Sequence, residues 1–256
     1  MGGYLTQLLA VADAELRKLR HDPWELASHA IQPVLWLLLF GNVMARVRGL
    51  APQATPYLEF LATGIIVQSA LFVAIFYGIS AIWERDLGVL HRHLVSPAPR
   101  SAPVVGKALS SAVRALSQAV IVCFCAAAMS VHLSLRPTSV TAPIPLITLR
   151  SALFSTFSLI IAYIVRTRER FMGIGRVLAM AIFFASNAID PAALMPVGLQ
   201  ILARLNPLTY PVDGLRAMTL ARGSSVFGLA GDFTVLAVVG IAMIAVATRM
   251  NPHMTE

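Results

Sequence analysis

The sequence predicts an all-α integral membrane protein with six transmembrane helices. It adds an N-terminal interfacial helix, a second amphipathic helix after span two, and short re-entrant helices before the last span. Three observations carry this reading. Of 256 residues, 57% are hydrophobic and only 12% charged, against roughly 25% charged in a soluble domain, and the mean hydropathy is +0.76. Too little polar surface remains to cover a globule in water. Next, six apolar runs approach the roughly 20 residues that an α-helix needs to cross about 30 Å of hydrocarbon. Last, Lys and Arg fall unevenly between alternate connections: 13 on the side of the termini and 6 on the other, with Arg150 inside a span left out. Basic residues gather in cytoplasmic loops, so both termini are expected inside.

In chain order, the first segment places Leu5, Leu8, Leu9, Ala12, Leu16 and Leu19 at helical spacing, with Asp13, Glu15, Arg17, Lys18 and Arg20 off that stripe. It reads as a helix lying on the inner leaflet or as one packed on the membrane domain; no cleavable signal peptide is expected there. The six spans are expected at 26–45, 60–83, 112–133, 144–165, 171–189 and 227–248, forming one domain over 1–256. Span two is the clearest, free of charge and bracketed by Glu59 and Glu84. After it, Trp83, Leu87, Leu90 and Leu94 make one apolar stripe, until Ser96-Pro97-Ala98-Pro99 ends the helix. That stripe suits either a lipid surface or a partner protein. The connection 190–222 holds Pro191, Pro196, Pro207 and Pro211 yet is rich in Leu, Ala and Val. It is too apolar for a solvated loop and too broken for a full span, which fits short re-entrant helices.

The charge of +8 is explained by topology, and no nucleic-acid partner is expected. Cys123 and Cys125, two residues apart on a helix, point to different faces and suggest neither disulfide nor zinc. The chain has no phosphate-binding Walker loop, no His-Glu-x-x-His and no Gly-x-Ser-x-Gly. His91-Arg92-His93 lacks a neighbouring Cys or carboxylate cluster, so no metal site is expected. An enzyme is disfavoured because no nucleophile, metal cluster or carboxylate pair converges; a non-transporting scaffold is the other reading. Arg150 stands out, since an arginine mid-span costs about 2.5–3.5 kcal/mol on insertion scales. Either it snorkels to the outer interface, as its place shortly after Pro143 allows, or it faces a translocation pathway.

Two motifs resemble a known family. The first is Trp83-Glu84-Arg85-Asp86-Leu87-Gly88-Val89-Leu90, continuing through Leu94, Ser96-Pro97 and Val105-Gly106-Lys107. The second is Phe184-Ala185-Ser186-Asn187-Ala188, then Leu205-Asn206-Pro207-Leu208-Thr209-Tyr210 and Asp213-Gly214-Leu215-Arg216. In this order and with this layout the chain resembles the permease subunits of ABC-2 type exporters over nearly its whole length, most of all daunorubicin-resistance-type drug exporters. Asp86 stands where relatives usually have Glu, and Val89 and His91 depart from the family pattern.

The resemblance implies a non-catalytic permease in the cell (inner, cytoplasmic) membrane. ATP and Mg would be bound by a separate ATPase subunit, with no cofactor in this chain. It implies a permease homodimer or heterodimer. It makes Trp83, Glu84, Arg85, Leu87, Gly88, Leu90 and Leu94 a cytoplasmic coupling helix that docks the ATPase, and sets Asn187, Asn206, Pro207 and Tyr210 in an outer gate. A drug-like or amphiphilic substrate is expected, with lipid or polysaccharide as the alternative cargo.

Overall fold

In a bilayer every backbone N–H and C=O must find its partner within the segment, which leaves the helix as the form for apolar runs of this length. The computed structural model of the chain describes residues 24, 31–44, 56–86, 102–129, 131, 134, 137–165, 167–220 and 223–250, with the backbone alone at 75–77, 84, 85, 102, 103, 137 and 138. Among these residues there is no strand. Helix α1 covers Ile31–Met44, α2 Tyr57–Asp86, α3 Ala102–Ala128, α4 Pro137–Thr141, α5 Pro143–Val165 and α6 Arg168–Phe184. A 3-10 turn at Ala192–Leu194 leads into α7 Val197–Leu205, α8 Thr209–Thr219 and α9 Leu229–Met250. Among the described residues four helices are long and apolar enough to cross a membrane: Tyr57–Trp83, Val104–Ala128, Ser139–Val165 and Leu229–Met250.

The core forms where α2, α3 and α5 pack against one another, with α9 laid against α5. Lipid is as apolar as leucine, so such helices associate through close packing of small residues rather than through exclusion of water. The contact faces show this. On α3 the buried stripe runs Val104, Ala108, Ala112, Ala115, Ala119, Val122 and Ala126, one face at helical spacing. Helix α2 is the central post and offers Ala62, Ser69, Ala70 and Ala74. Gly64 lets it approach the turn after α6 so closely that a Cβ there would run into the Ala188 carbonyl. Gly78 likewise leaves space for the Phe171 ring and the Ser158 hydroxyl. Helix α9 is peripheral, burying chiefly Asp232, Leu236, Gly240 and Ala247.

Several boundaries differ from the sequence expectation. Span three was expected at 112–133, but its helix occupies Ala102–Ala128. Hydropathy alone starts it after Lys107, whereas packing of Val104 and Ala108 extends it toward the N-terminus. Span five was expected at 171–189; the helix begins at Arg168 and ends at Phe184, followed by turns through 188. Within α1, residues Trp36–Gly41 form a π-helical segment, which no periodicity in the sequence announces. The N-terminal amphipathic segment, the run 26–30, and Leu87, Gly88, Leu90 and Leu94 lie outside the described residues.

Candidate functional site

Polar side chains interrupt the apolar packing at three levels of the bundle. The first level is where α2 ends and α6 begins. The Arg168 guanidinium donates from Nη2 and Nε to Asp86 Oδ2, at 2.9 and 3.2 Å. Its central carbon stands 4.1 Å from the centre of the Trp83 ring, a cation–π geometry. Arg168 and Asp86 are each about a third exposed, so the ion pair alone contributes modestly. One turn further along α6, Phe171 is fully buried in the notch left by Gly78. Gly78 N–H also donates to Ser158 Oγ at 3.1 Å, which ties α2 to α5 at the same height.

The second level is at mid-length. Arg150 on α5 is 1% exposed, so it does not snorkel. Its Nη1 donates to the Val67 carbonyl on α2, while Nε has no partner among the described residues. The Ser111 hydroxyl donates to the Ser151 carbonyl at 3.1 Å and joins α3 to α5. Lys107 and Ser80, 3.4 Å apart, fix the antiparallel register of α3 on α2. Continuing that register equally on both helices brings Gln118 level with Ser69, beside Gln68. The amides of Gln68 and Gln118 are both buried and both without partners among the described residues. A guanidinium and two carboxamides thus share one layer, and among the described residues no ion pair with a carboxylate is formed by Arg150.

The third level is the opposite end of the bundle. Asn206 Nδ2 donates to the Ile182 carbonyl at 2.6 Å. Its Oδ1 accepts from Leu208 N–H at 2.9 Å, turning the chain at Pro207 into α8. Thr209 Oγ1 reaches the Ala203 carbonyl and Tyr210 OH the Arg204 carbonyl, so α7 and α8 are laced together across the proline. Arg216 on α8 is buried and donates to Thr63 Oγ1, the Phe60 carbonyl and the Ala188 carbonyl. It also stacks on the Phe60 ring at 3.4 Å. Asp213 Oδ2 accepts from Val226 N–H at 2.6 Å and Phe227 N–H at 3.2 Å, pinning the segment that enters α9. The Ser225 hydroxyl lies 3.0 Å from Asp213 Oδ2 and 2.8 Å from Asp232 Oδ2. Asp190, in the turn after α6, is pushed above the usual carboxylate range by burial.

Residues 6–220 match the family described as ABC-2 type transporter. The chain belongs to that family. The permease is 27% identical over 215 residues to a transport permease, ycf38, of Cyanophora paradoxa, covering 83% of this chain and 74% of the relative. It is 27% identical over 190 residues to nodulation protein J of Bradyrhizobium diazoefficiens, covering 72% and 68%. It is 20% identical over 199 residues to the daunorubicin resistance ABC transporter permease protein DrrB1 of Streptomyces coeruleorubidus, covering 78% and 70%.

Within the permease, those of the singled-out residues that the structure describes lie at three separate levels. Trp83, Glu84 and Arg85 sit on the last turn of α2 at the first level. Arg150 occupies the middle. Asn187, Asn206, Pro207 and Tyr210 belong to the third level. There Asn187 is buried with its Oδ1 unpartnered among the described residues, and Tyr210 packs on Phe227 with ring centres 5.0 Å apart. Sequence reading missed what binds these levels together. Arg168 was only a basic residue in a topology count, Arg216 closed the second motif without a role of its own, and Gln68 and Gln118 are neutral and silent in a charge survey. The one available signal for the pair was two amides within otherwise apolar runs.

Proposed function

We propose that this permease is the membrane half of an ATP-driven exporter, with ATP and Mg bound on a separate ATPase subunit. The reading has α1, extended to about 26–45, and α6 as the first and fifth spans, completing six. The first polar level faces the cytoplasm, as do both termini, and the third level faces outward. Two permeases enclose the path, as homodimer or heterodimer, in the cell membrane. The segment from Trp83 through Leu87, Gly88, Leu90 and Leu94 is the coupling helix that enters the ATPase. The broken helices α7 and α8, with Asn187, Asn206, Pro207 and Tyr210, act as the outer gate. Arg150 acts within the translocation domain, where its charge is available to an anionic group of a passing substrate.

The observation that carries this reading is the family match over residues 6–220. A drug-like or amphiphilic cargo is supported by the relative named for daunorubicin resistance. Two other relatives are named nodulation protein J, and these favour keeping lipid or polysaccharide as the second reading.

Co-purification tests the assembly. The parent chain is expected to bring down a soluble ATPase. Leu90→Asp puts a charge into an apolar contact, where burial without a partner costs several kcal/mol. It is expected to abolish that association or to uncouple hydrolysis from export while the spans insert normally. Unchanged co-purification and unchanged export would sink the docking assignment. Stimulation of ATP hydrolysis in proteoliposomes by daunorubicin, a lipid or a glycan-lipid distinguishes the cargo classes.

A further inference from the structure

Helix α6 is a 17-residue rod, about 25 Å long. At its N-terminal end Arg168 grips Asp86 and Trp83, and Phe171 is seated in the Gly78 notch. Gly78, Ile82 and Asp86 lie on one face of α2 at a spacing of four, and Arg168, Phe171 and Gly175 lie on one face of α6. The two stripes meet where Phe171 fills the Gly78 notch and again at the ion pair of Arg168 with Asp86. At the other end of α6, the Ile182 carbonyl holds Asn206, and the turn that follows supplies the Ala188 carbonyl to Arg216. One rigid element is thus fastened to the last turn of α2 at one end and to the broken helices at the other. A rod held in this way transmits displacement, because its backbone hydrogen bonds do not stretch and each end is fixed by named contacts.

We infer that Arg168 is a positioning residue for transport: through Asp86 and Trp83 it makes α6 follow the end of α2, so that movement of the coupling segment is delivered to the outer helices α7 and α8. This rests on the exporter reading above. Two features distinguish it from an ordinary surface pair. The guanidinium engages an ion-pair partner and an aromatic face at once, which fixes both direction and distance. It also holds the last turn of α2, from which the chain leaves toward the ATPase in that reading, so the contact offers that displacement a direct path into α6.

The test needs no substrate. In the reconstituted permease–ATPase complex Cys123 and Cys125 are replaced by Ala, and Leu205→Cys puts one thiol on α7 next to Asn206, at a side chain that is 76% exposed. A polar maleimide is applied from outside, with and without ATP and vanadate. The parent is expected to change its labelling rate on trapping. Arg168→Asp and Asp86→Arg are each expected to reduce that change about fivefold or more, and the double reversal to restore it. Arg168→Gln removes the charge with little change of shape and is expected to give the same loss without threatening the fold. A response that survives the single changes overturns the inference alone. So does loss in the singles without recovery in the double, and so does a parent with ATPase bound whose labelling ignores nucleotide. A parent that binds no ATPase overturns the exporter reading, and the inference with it.

Discussion

Arg150 and Arg216 are both buried, yet they are held in opposite ways. Arg216 has three oxygen acceptors and an aromatic face. Among the described residues Arg150 has a single carbonyl and an idle Nε. A buried charge with poor compensation is often replaced by an apolar side chain at no loss, or with a gain of about 1–4 kcal/mol. Arg150→Met is therefore expected to leave the melting temperature of the detergent-solubilised protein unchanged or higher, while export falls if the charge meets substrate. Arg216→Met removes three charge-assisted bonds and is expected to cost about 2–3 kcal/mol, read as an earlier melt. Equal melting behaviour in the two variants would refute the distinction. Arg150 was legible in the sequence as a charge stranded in an apolar run. Arg216 was not, since it lies in a proline-broken connection where an arginine looks like an ordinary loop residue, and only its three acceptors from distant segments reveal its place.

Between elements, the tolerances are set by glycines. Gly64→Ala drives a methyl group into the Ala188 carbonyl, and Gly78→Ala meets the Phe171 ring and the Ser158 hydroxyl. Nothing stands within 4 Å of a Cβ at Gly173. The first two changes are expected to destabilise by about 1–3 kcal/mol, and Gly173→Ala to be silent or slightly favourable to the helix; thermal melts of the three variants check the ranking. Asn206→Ala leaves the Ile182 carbonyl and the Leu208 N–H without their partner, at a cost of about 1–3 kcal/mol. It is expected to speed protease cleavage between α7 and α8. The sequence shows that 190–222 cannot be one helix, because its prolines forbid it. It does not show where α3 starts, because small residues such as Ala108 bury well but score weakly for hydropathy. Nor does it show that α6 stops at Phe184, because Ser186 and Asn187 carry no charge and Ala188 and Ile189 resume the apolar run after the helix has ended.

For the whole molecule, the arrangement of inside and outside rests on basic residues. Reporter fusions in the connection near Pro99 and at Thr167 are expected to read cytoplasmic, and those near Gly49, Pro137 and Arg204 external. An external signal near Pro99 would overturn the orientation of every helix. The bundle is also unequal in depth of burial, since α2 is enclosed on nearly all sides whereas α9 offers one narrow stripe and otherwise faces outward. That inequality gives the protein a mechanical polarity. Drawn out of a membrane by its C-terminal end on a force probe, it is expected to release α9 first and at low force, with Ser225 and the two neighbouring aspartates as the first resistance. The remaining helices then come away together at a much higher force, because α2 cannot leave before α3 and α5. Drawn by the N-terminal end, the same molecule yields in a different order, and the two force traces are not mirror images.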